Sequence, residues 1–537
     1  MGVSTKYSYD KQGSKLTMTD GRGKLTDYRY TAFGNTKTIL NPDGKTVSYK
    51  YDLSGNAVCI TDKNGNNTLY IYDSRGLVLE KQVKETGDSI KYTYDEAGNR
   101  KFMEDESGVS TYTYDGNNRL LEIKKDGASH IGYAYDEVGN VAKVTDQKGN
   151  IVSYTYDKSN RMETVTANGK TTTYTYDENG NREAIEYEGG VSEEYTYDRD
   201  NHLILLENKK PDGTIISEYN YKYDLAGRQI SKTDSYGTTS YEYDRDGRVI
   251  KIAAPGKTTL YTYDNAGDRV SQNETYTSAQ PSSYIDSVSG KEIQYILKKS
   301  EYTYSSSNQL LKLSERMFDE SNKEIARKTT KTAYDDNGNQ LKQSVSYTLP
   351  ADTKLLPTTK GNAYGDSMSG TIDKLVEKTS YTFDGFNRLK KAETVKDGKH
   401  TEAEYKYDGD DLRVNKTVKK SDNAYKEEIT NYLYDRQNVI LETDAAGNIK
   451  TRYIKGINYI ASVDSENKEA YFLFNGHGDT VQTVNEAGEV QNRYDYDIWG
   501  NPTLTIEVKA NAIRYAGEYI DTETGLYYLK QGIMIHM

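Results

Sequence analysis

The chain has 537 residues, with 70 Lys and Arg against 82 Asp and Glu, which gives a net charge of −12. A net negative charge of this size does not provide the positively charged surface that nucleic acid requires, so nucleic acid is not an expected partner. A run of about 18 apolar residues is absent, which excludes a membrane-spanning helix. The single cysteine, Cys59, excludes an intrachain disulfide framework and a cysteine-based zinc cluster.

A repeated unit, Tyr-x-Tyr-Asp-x-x-Gly-Asn, fills the first half of the chain. Its Asp recurs in steps of 20–22 residues with one step of 26, and Thr31 replaces it once. The Asp positions are 10, 52, 73, 95, 115, 136, 157, 177, 198, 224, 244 and 264. A period this regular is typical of a repeat array rather than of independent domains. Residues 1–270 are therefore predicted to form a regular YD-repeat array with a period of about 21 residues.

Each unit predicts two short strands and two turns. The Tyr residues at i and i+2 point to the same face of a strand, and repetition stacks their rings across neighbouring strands. The Asp ends the strand because its carboxylate can accept a backbone N–H two residues on, and the following Gly or Asn tolerates positive φ. Asp-Gly at 126–127 and Asn-Gly at 168–169 signal the second turn. The pattern predicts an all-β fold, a long antiparallel ribbon with almost no helix and with one face buried and one wet.

From about residue 271 the spacing becomes irregular. Residues 271–380 are predicted to be irregular repeats with long insertions at 271–300 and 345–378, which are rich in Ser, Thr, Lys and Asp. YD repeats are predicted again at 381–440.

Residues 441–529 carry three sequence blocks in a fixed order. They are Gly476-His477-Gly478-Asp479, a segment from Tyr494 to Pro502, and a segment from Gly517 to Tyr528. Together with the YD units, these blocks resemble the Rhs/YD-repeat proteins, and residues 441–529 look like their Rhs-associated core. The resemblance covers essentially the whole chain and extends to wall-associated, Tc-toxin and teneurin YD-repeat shells. The residues that match the family motif are Tyr494, Tyr496, Asp497, Trp499, Gly500, Asn501, Gly517, Asp521, Glu523, Thr524, Gly525, Leu526, Tyr527 and Tyr528.

The resemblance implies a fold and a function. The β-ribbon is expected to spiral into a hollow shell or a solenoid-like sheet that houses a variable C-terminal toxin domain, used by bacteria in competition. That toxin domain of the full-length parent is the expected partner, and the parent is expected to be secreted or displayed on the cell surface. In the family, aspartates beyond the core act like an aspartyl-protease pair and release the toxin.

The two ends of the chain depart from the family pattern. The core normally continues as Arg-Ala-Arg-Tyr-Tyr-Asp-Pro and then reaches the autocleavage motif, whereas residues 530–537 read Lys-Gln-Gly-Ile-Met-Ile-His-Met. Back-translation with two nucleotides skipped is compatible with Ala-Arg-Tyr-Tyr-Asp-Pro-Tyr. We therefore expect a frameshifted tail and a C-terminally truncated chain; the alternative is a natural short end. The repeat array begins directly after Met1 with no signal peptide before it, as expected for a fragment of a longer protein.

The best pair of carboxylates is Asp521 and Glu523, in an Asp-Thr-Glu-Thr-Gly segment. They could be remnants of the region that supports autocleavage, but the favoured interpretation is a loop that caps the strand ending at Ile520. His477 is expected to have a structural or hydrogen-bonding role, and Cys59 to be a small buried residue. No catalytic residue is therefore expected in this chain.

Two other motifs resemble ligand-binding loops but lack the glycine that such loops need at a fixed position. The Asp-, Asn- and Gly-rich turns at 62–67 and 177–183 resemble calcium loops, but their Gly stands at the fourth position of the loop instead of the sixth. Three Gly-Lys-Thr segments lack the earlier Gly of a phosphate loop. No cofactor and no metal site is expected.

Two alternatives to a toxin-carrying shell remain. A wall- or surface-associated adhesion protein would bind cell-wall glycans through exposed tyrosine rings, whereas the shell interpretation uses the rings as the core of the array. An enzyme is the other alternative, and no complete catalytic set supports it.

Overall fold

The protein folds as one long antiparallel β-ribbon in which each strand of the main sheet pairs with the next along the chain. The structure is a computed structural model that describes residues 4–285, 292–349, 372–529 and 533–534. Within these residues the only helical segments are two short 3-10 turns, Ser421–Asn423 and Tyr515–Gly517. The prediction of an all-β antiparallel ribbon is confirmed.

The main sheet has 42 strands, and two small sheets accompany it. The strands of residues 1–270 and the one that follows are β1 (Lys6–Tyr9), β2 (Lys15–Thr19), β3 (Leu25–Tyr30), β4 (Thr36–Leu40), β5 (Thr46–Tyr51), β6 (Ala57–Thr61), β7 (Asn67–Tyr72), β8 (Val78–Val83), β9 (Ser89–Tyr94), β10 (Arg100–Asp105), β11 (Gly108–Tyr114), β12 (Leu120–Lys125), β13 (Ala128–Tyr135), β14 (Val141–Asp146), β15 (Ile151–Tyr156), β16 (Met162–Ala167), β17 (Lys170–Tyr176), β18 (Arg182–Glu186), β19 (Ser192–Tyr197), β20 (Leu203–Lys209), β21 (Ile215–Tyr223), β22 (Gln229–Asp234), β23 (Gly237–Tyr243), β24 (Val249–Ala254), β25 (Lys257–Tyr263) and β26 (Arg269–Tyr276).

The remaining strands are β27 (Ser282–Ile285), β28 (Glu292–Tyr295), β29 (Leu297–Tyr304), β30 (Leu310–Phe318), β31 (Glu324–Tyr334), β32 (Gln340–Leu349), β33 (Ile372–Phe383), β34 (Leu389–Lys396), β35 (Lys399–Tyr407), β36 (Arg413–Lys420), β37 (Glu427–Asp435), β38 (Asn438–Thr443), β39 (Ile449–Lys455), β40 (Tyr459–Asp464), β41 (Glu469–Phe474), β42 (Thr480–Val484), β43 (Val490–Tyr496), β44 (Pro502–Glu507), β45 (Tyr519–Asp521), β46 (Leu526–Tyr528) and β47 (Ile533–Met534). β27 pairs with β28, and β45, β46 and β47 form a small C-terminal sheet. Parts of the predicted insertions, 286–291 and 350–371, and most of the predicted tail, 530–532 and 535–537, lie outside the described residues.

The turn that follows each Tyr-x-Tyr-Asp unit, here called the YD turn, has the predicted chemistry. In the turn at 52–56, one oxygen of the Asp52 carboxylate accepts the backbone N–H of Ser54 and of Asn56, at 2.9 Å each. The backbone N–H of Asp52 also bonds to the Asn56 carbonyl at 3.0 Å, and Gly55 has φ of +86°. The fourth residue of these turns is Gly or Asn, except for Asp411 in one of them, because the left-handed region penalises side chains that crowd the backbone.

The paired tyrosines of a unit lie on one face, as predicted; the rings of Tyr49 and Tyr51 are 6.5 Å apart and nearly parallel. The sequence did not predict what their hydroxyls do. The second Tyr of a unit donates a hydrogen bond to the first residue of a strand in the preceding unit, as Tyr135 does to the Leu120 carbonyl at 2.7 Å. The same bond recurs along the ribbon, for instance from Tyr51 to Thr36 and from Tyr72 to Ala57. Each unit is thereby tied to the one before it.

Replacement of Tyr135 tests this tie. Tyr135→Ala is expected to lower the free energy of unfolding by about 3 kcal/mol because it removes a large packed ring. Tyr135→Phe is expected to cost about 1 kcal/mol, since only the hydroxyl bond is lost. Urea unfolding measures both. Tyr9→Phe is the control, because Tyr9 stands in the first unit and is exposed; a loss there equal to that of Tyr135→Phe would contradict the role of the hydroxyl.

The ribbon coils upon itself. Residues 4–263 are here called the first coil and residues 264–507 the second coil. The return turns of the first coil, which join one repeat to the next, meet the YD turns of the second coil: Arg22 lies 3.3 Å from Asp268, and Lys45 lies 2.6 Å from Asp336. This line of contacts between the turns of the two coils is here called the seam. Further along it, the Gly409 N–H donates to the Asp105 carboxylate at 2.7 Å. Edge contacts between coils give the spiral that the family resemblance implies.

Beyond about residue 430 the second coil lies face to face on the first. One face of β37–β42 packs on β13–β21 in apolar clusters, including Leu433 and Leu441 against Ile131 and Val144. The opposite face packs on the C-terminal residues, so β38, β41 and β42 are buried almost throughout. The expectation of one wet face is therefore wrong for these strands. Their runs of apolar residues, such as Tyr-Phe-Leu-Phe at 471–474, are typical of strands covered on both sides.

Among the described residues no helix is long and apolar enough to cross a membrane.

Candidate functional site

The residues of the family motif fall into two groups in the structure. Those from Tyr494 to Asn501 form the end of β43 and the last YD turn, and those from Gly517 to Tyr528 form a C-terminal block, defined here as residues 511–529. The block lies on β34–β37 and β41. Tyr515 joins the two groups, since its ring centroid is 5.5 Å from that of Tyr496 and 6.1 Å from that of Tyr527.

Asp521 is the centre of a buried ionic cluster. Its side chain is 1% exposed and lies 2.5 Å from the Arg413 guanidinium and 3.1 Å from the Lys416 ammonium. Lys416 is also 3.1 Å from Glu523, whose other oxygen accepts a hydrogen bond from the Tyr405 hydroxyl at 3.0 Å. The cluster thus joins β35 and β36 of the wall to the C-terminal block.

Four tyrosine rings surround Arg413. Its guanidinium carbon is 4.4 Å from the ring centroid of Tyr528, 5.1 Å from that of Tyr432, 5.2 Å from that of Tyr405 and 5.5 Å from that of Tyr519. A cation over aromatic faces gains quadrupole attraction that is strongest away from water. The Arg413 backbone N–H also donates to the Tyr528 hydroxyl at 2.8 Å. Both β45 and β46 therefore contact the same arginine.

The electrostatics keep the cluster charged. Burial by itself would raise the pKa of Asp521, but Arg413 and Lys416 hold it below its usual range. Burial would likewise lower the pKa of Lys416, yet Tyr432, Asp521 and Glu523 hold it above its usual value. A cation stands between the two carboxylates, so they do not share a proton as the carboxyls of an aspartyl protease do. The arrangement anchors two segments and offers no free acid or base.

A second set of contacts holds the start of the C-terminal block. Asp479 accepts the backbone N–H of Ala516 at 2.9 Å and pairs with Nδ1 of His477 at 2.8 Å. The carboxylate of Asp479 raises the pKa of His477 above its usual value. Thr480 donates its backbone N–H to the Arg514 carbonyl at 3.0 Å. The hydrogen-bonding role expected of His477 is confirmed.

Trp499 and its turn contact the first coil. The Trp499 ring lies edge-on to Tyr261, with centroids 5.9 Å apart, and the Arg269 guanidinium lies 4.4 Å above it. The turn borders a cavity of about 1270 Å³. One wall of this cavity is a ladder of alternating charges across β25–β31, formed by Lys257, Glu274, Lys298, Glu315 and Lys328. The sequence pattern alone does not predict this ladder.

The seam between the coils contains a carboxyl group that responds to pH. Burial raises the pKa of Asp408 to about 7, and the neighbouring Asp410 and Asp105 add to the effect. The pKa in the folded chain lies above the ordinary value of 3.8, so the folded state binds this proton more tightly. Ionisation of Asp408 therefore costs stability as the pH rises toward 7.

Asp408→Asn is expected to raise the urea midpoint at about pH 8 and to change it little below about pH 4, where the carboxyl is protonated in both states. Asn keeps the oxygen that accepts the N–H of Leu412 at 2.9 Å. The matched control is Asp244→Asn in an exposed YD turn. Hydrogen bonds from Arg248 outweigh burial and lower the pKa of Asp244, so this control is expected to destabilise at about pH 8. If both variants changed the urea midpoint at about pH 8 in the same direction, the raised pKa assigned to Asp408 would be contradicted.

One group of potential metal ligands occurs in the described residues. Ligand atoms of Asp198, Asp200 and His202 lie within 4.8 Å of one another. They belong to a YD turn, where Asp198 accepts the N–H of both other residues at 2.9 Å each. The ordinary turn chemistry accounts for the cluster.

Sequence reasoning missed Arg413, Lys416 and Tyr405, although a signal for Arg413 exists. It stands five residues after the Asp of its YD unit, where most units have a smaller or apolar residue. Arg100, Arg182 and Arg269 occupy the same position, and each lies over a tyrosine ring of a neighbouring strand. An Arg at this position therefore predicts a guanidinium that packs on the tyrosine face of the sheet and requires a partner.

Comparisons with known proteins agree with this architecture. The family model "Teneurin YD-shell" matches residues 55–166 and 100–276. The tRNA nuclease WapA of Bacillus subtilis (strain 168) is 36% identical over 212 residues, which cover 36% of this chain and 9% of WapA. The tRNA(Glu)-specific nuclease WapA of Bacillus subtilis subsp. natto (strain BEST195) is 40% identical over 158 residues, 28% of this chain and 6% of that protein. The chain thus spans less than a tenth of these relatives.

Solved structures extend the likeness to nearly the whole chain. The crystal structure of TcdB2-TccC3-TEV has a TM-score of 0.66 at 18% identity and covers 98% of this chain and 28% of that one. The Photorhabdus luminescens Tc holotoxin pore, with the TccC3-D651A mutation, has a TM-score of 0.62 at 17% identity, over 99% of this chain and 29% of that one. The resemblance to Rhs/YD-repeat proteins is therefore confirmed: the chain is similar to them in its repeats and has the fold of a Tc-toxin YD shell.

Proposed function

We propose that this chain is the non-enzymatic wall of a YD shell that encloses and delivers a C-terminal toxin domain in bacterial competition. The toxin domain and the autocleavage motif belong to the full-length parent, which is secreted or displayed on the cell surface. The chain contributes containment, and the family-motif residues from Tyr494 to Tyr528 contribute structure.

The observation that carries the proposal is the YD-shell fold over 98% of the chain. The WapA relatives support it, since they join repeats of this kind to a nuclease activity that is named for the whole protein. The buried cluster of Arg413, Lys416, Asp521 and Glu523 supports a structural role for the C-terminal block. The geometry does not favour the glycan-binding alternative, which needs exposed rings, because the first tyrosine of many YD units is buried, as at Tyr112, Tyr174 and Tyr221.

The first experiment is to sequence the gene through codon 529 and beyond it. The expected result is an alternate frame that restores Ala-Arg-Tyr-Tyr-Asp-Pro and continues into an autocleavage motif and a domain without repeats. A closed frame would contradict the assignment of a toxin carrier.

The second experiment expresses the restored reading frame and measures protection from protease. The shell is expected to shield the downstream domain. Arg413→Gln weakens the anchor of the C-terminal block and is expected to expose that domain, whereas Arg245→Gln, at an exposed YD turn, is the matched control. Equal cleavage of the downstream domain in the unaltered protein and in a sample unfolded by urea would contradict containment.

A further inference from the structure

Two turns of the chain share one sequence and one conformation. The turns at 62–66 and 335–339 both read Asp-x-Asn-Gly-Asn. In each, the Asp backbone N–H bonds to the carbonyl of the fifth residue at 2.9 Å, and the Gly N–H bonds to the Asp carbonyl at 3.1–3.2 Å. They belong to different coils and meet at the seam.

Their contact is reciprocal. The Asn64 amide donates to the Asp335 carboxylate at 3.0 Å, and the Asn337 amide donates to the Asp62 carboxylate at 2.7 Å. The backbone N–H of Asn64 donates to the Asn337 side-chain oxygen, and that of Asn337 to the Asn64 side-chain oxygen, both at 3.2 Å. Each turn thus gives its partner the same two donors and two acceptors, and the backbone N–H of Lys63 adds one further bond to the Asn337 side-chain oxygen at 2.9 Å. The four reciprocal bonds, here called the Asn clasp, are related by a local two-fold axis, so an Asp-x-Asn-Gly-Asn turn is complementary to its own kind.

A third turn of this sequence has no such partner among the described residues. Residues 177–181 read Asp-Glu-Asn-Gly-Asn and follow β17 in the first coil. The Asp177 N–H bonds to the Asn181 carbonyl at 2.9 Å and the Gly180 N–H to the Asp177 carbonyl at 3.0 Å, as in the clasped turns. The Asn179 side chain is exposed and makes no hydrogen bond within the described part of the chain. This turn therefore presents the binding half of an Asn clasp to solvent.

We propose that the turn at 177–181 is a self-association site, which pairs with the same turn of a second copy of this chain about a two-fold axis. Asn179 of each copy takes the place of Asn64 and Asn337, and its amide donates to Asp177 of the other copy. A second copy is the partner because the two other turns of this sequence already hold each other at the seam. Four hydrogen bonds between exposed groups make a weak contact, so association is expected at high protein concentration.

Sedimentation equilibrium over a concentration series tests the proposal. The unaltered chain is expected to show a concentration-dependent dimer. Asn179→Asp removes the amide donor and places a carboxylate opposite Asp177, so it is expected to abolish the dimer. Asn117→Asp is the matched control, because it adds the same charge to an exposed YD turn that reads Asp-Gly-Asn-Asn-Arg. A monomer at every concentration, or a dimer that persists in Asn179→Asp, would overturn the proposal.

Disulfide trapping gives an independent readout. Cys59 is the single cysteine of the chain and is buried, so a cysteine placed at 178, next to the intact Asn179, supplies the reactive thiol. Glu178→Cys is expected to form a linked dimer about tenfold faster than Glu137→Cys, at the same exposed position of another YD turn, since the clasp raises the local concentration of one thiol near the other. Equal rates for the two variants would also overturn the proposal.

Discussion

Asp521→Asn is expected to release the C-terminal block from the wall of the shell. The substitution keeps the shape of the side chain but removes the charge that compensates Arg413, which is 2% exposed. An uncompensated buried charge typically costs about 3–5 kcal/mol. Lys416 keeps Glu523 as a partner, so Arg413 is the residue that loses its compensating charge.

Hydrogen exchange of the backbone amides in β45 and β46 measures this release, because local opening of the block exposes them before the ribbon unfolds. Glu466→Gln is the control, since its ion pair with Lys468 is exposed and screened by solvent. The double variant with Asp521→Leu and Arg413→Met is expected to recover most of the loss, because two apolar residues replace two buried charges. Protection of β46 that stays unchanged in Asp521→Asn would show that the cluster does not anchor the block.

Phe472→Ala is expected to destabilise the second coil by about 3–5 kcal/mol. Phe472 is fully buried in β41, a strand covered on both faces, and its ring neighbours are Tyr459 and Phe474. Removal of the ring leaves a cavity that layers on both sides restrict from collapsing. The midpoint of urea unfolding measures the loss.

Phe33→Ala is the matched control for Phe472→Ala. Phe33 is 92% exposed in the YD turn that follows β3, so its removal is expected to change stability by less than about 0.5 kcal/mol. A similar loss in both variants would contradict the two-sided burial of β41.

Local chemistry made most of the ribbon predictable. The turn at 52–56 is encoded within its own residues, because the Asp52 carboxylate, the Gly55 backbone and the Asn56 amide complete it without distant help. The alternation of tyrosines likewise fixes which face of each strand carries the rings. For these elements sequence and structure agree because the decisive contacts span only a few residues.

The layering of the coils and the anchor at Asp521 depend on distant partners. Arg413 and Asp521 lie 108 residues apart, and Tyr187 donates to the Phe472 carbonyl across 285 residues. No local preference encodes such pairings. The recurrence of Arg five residues after a YD Asp indicates an inward cation, but only the fold shows whether its partner is Asp410, Trp499 or Asp521.

The hydroxyl ties between successive repeats have a consequence for synthesis on the ribosome. Because Tyr135 bonds to Leu120 and Tyr156 to Val141, a new repeat with this tie finds its docking carbonyl in a strand that has already emerged. Growth can then proceed from the N-terminus with a short search at each step, as closing a loop of this length takes well under a microsecond. The seam contacts, such as the one between Arg22 and Asp268, must wait for some 246 further residues. A nascent first coil would therefore be a preformed template, on which the second coil and the C-terminal block later settle.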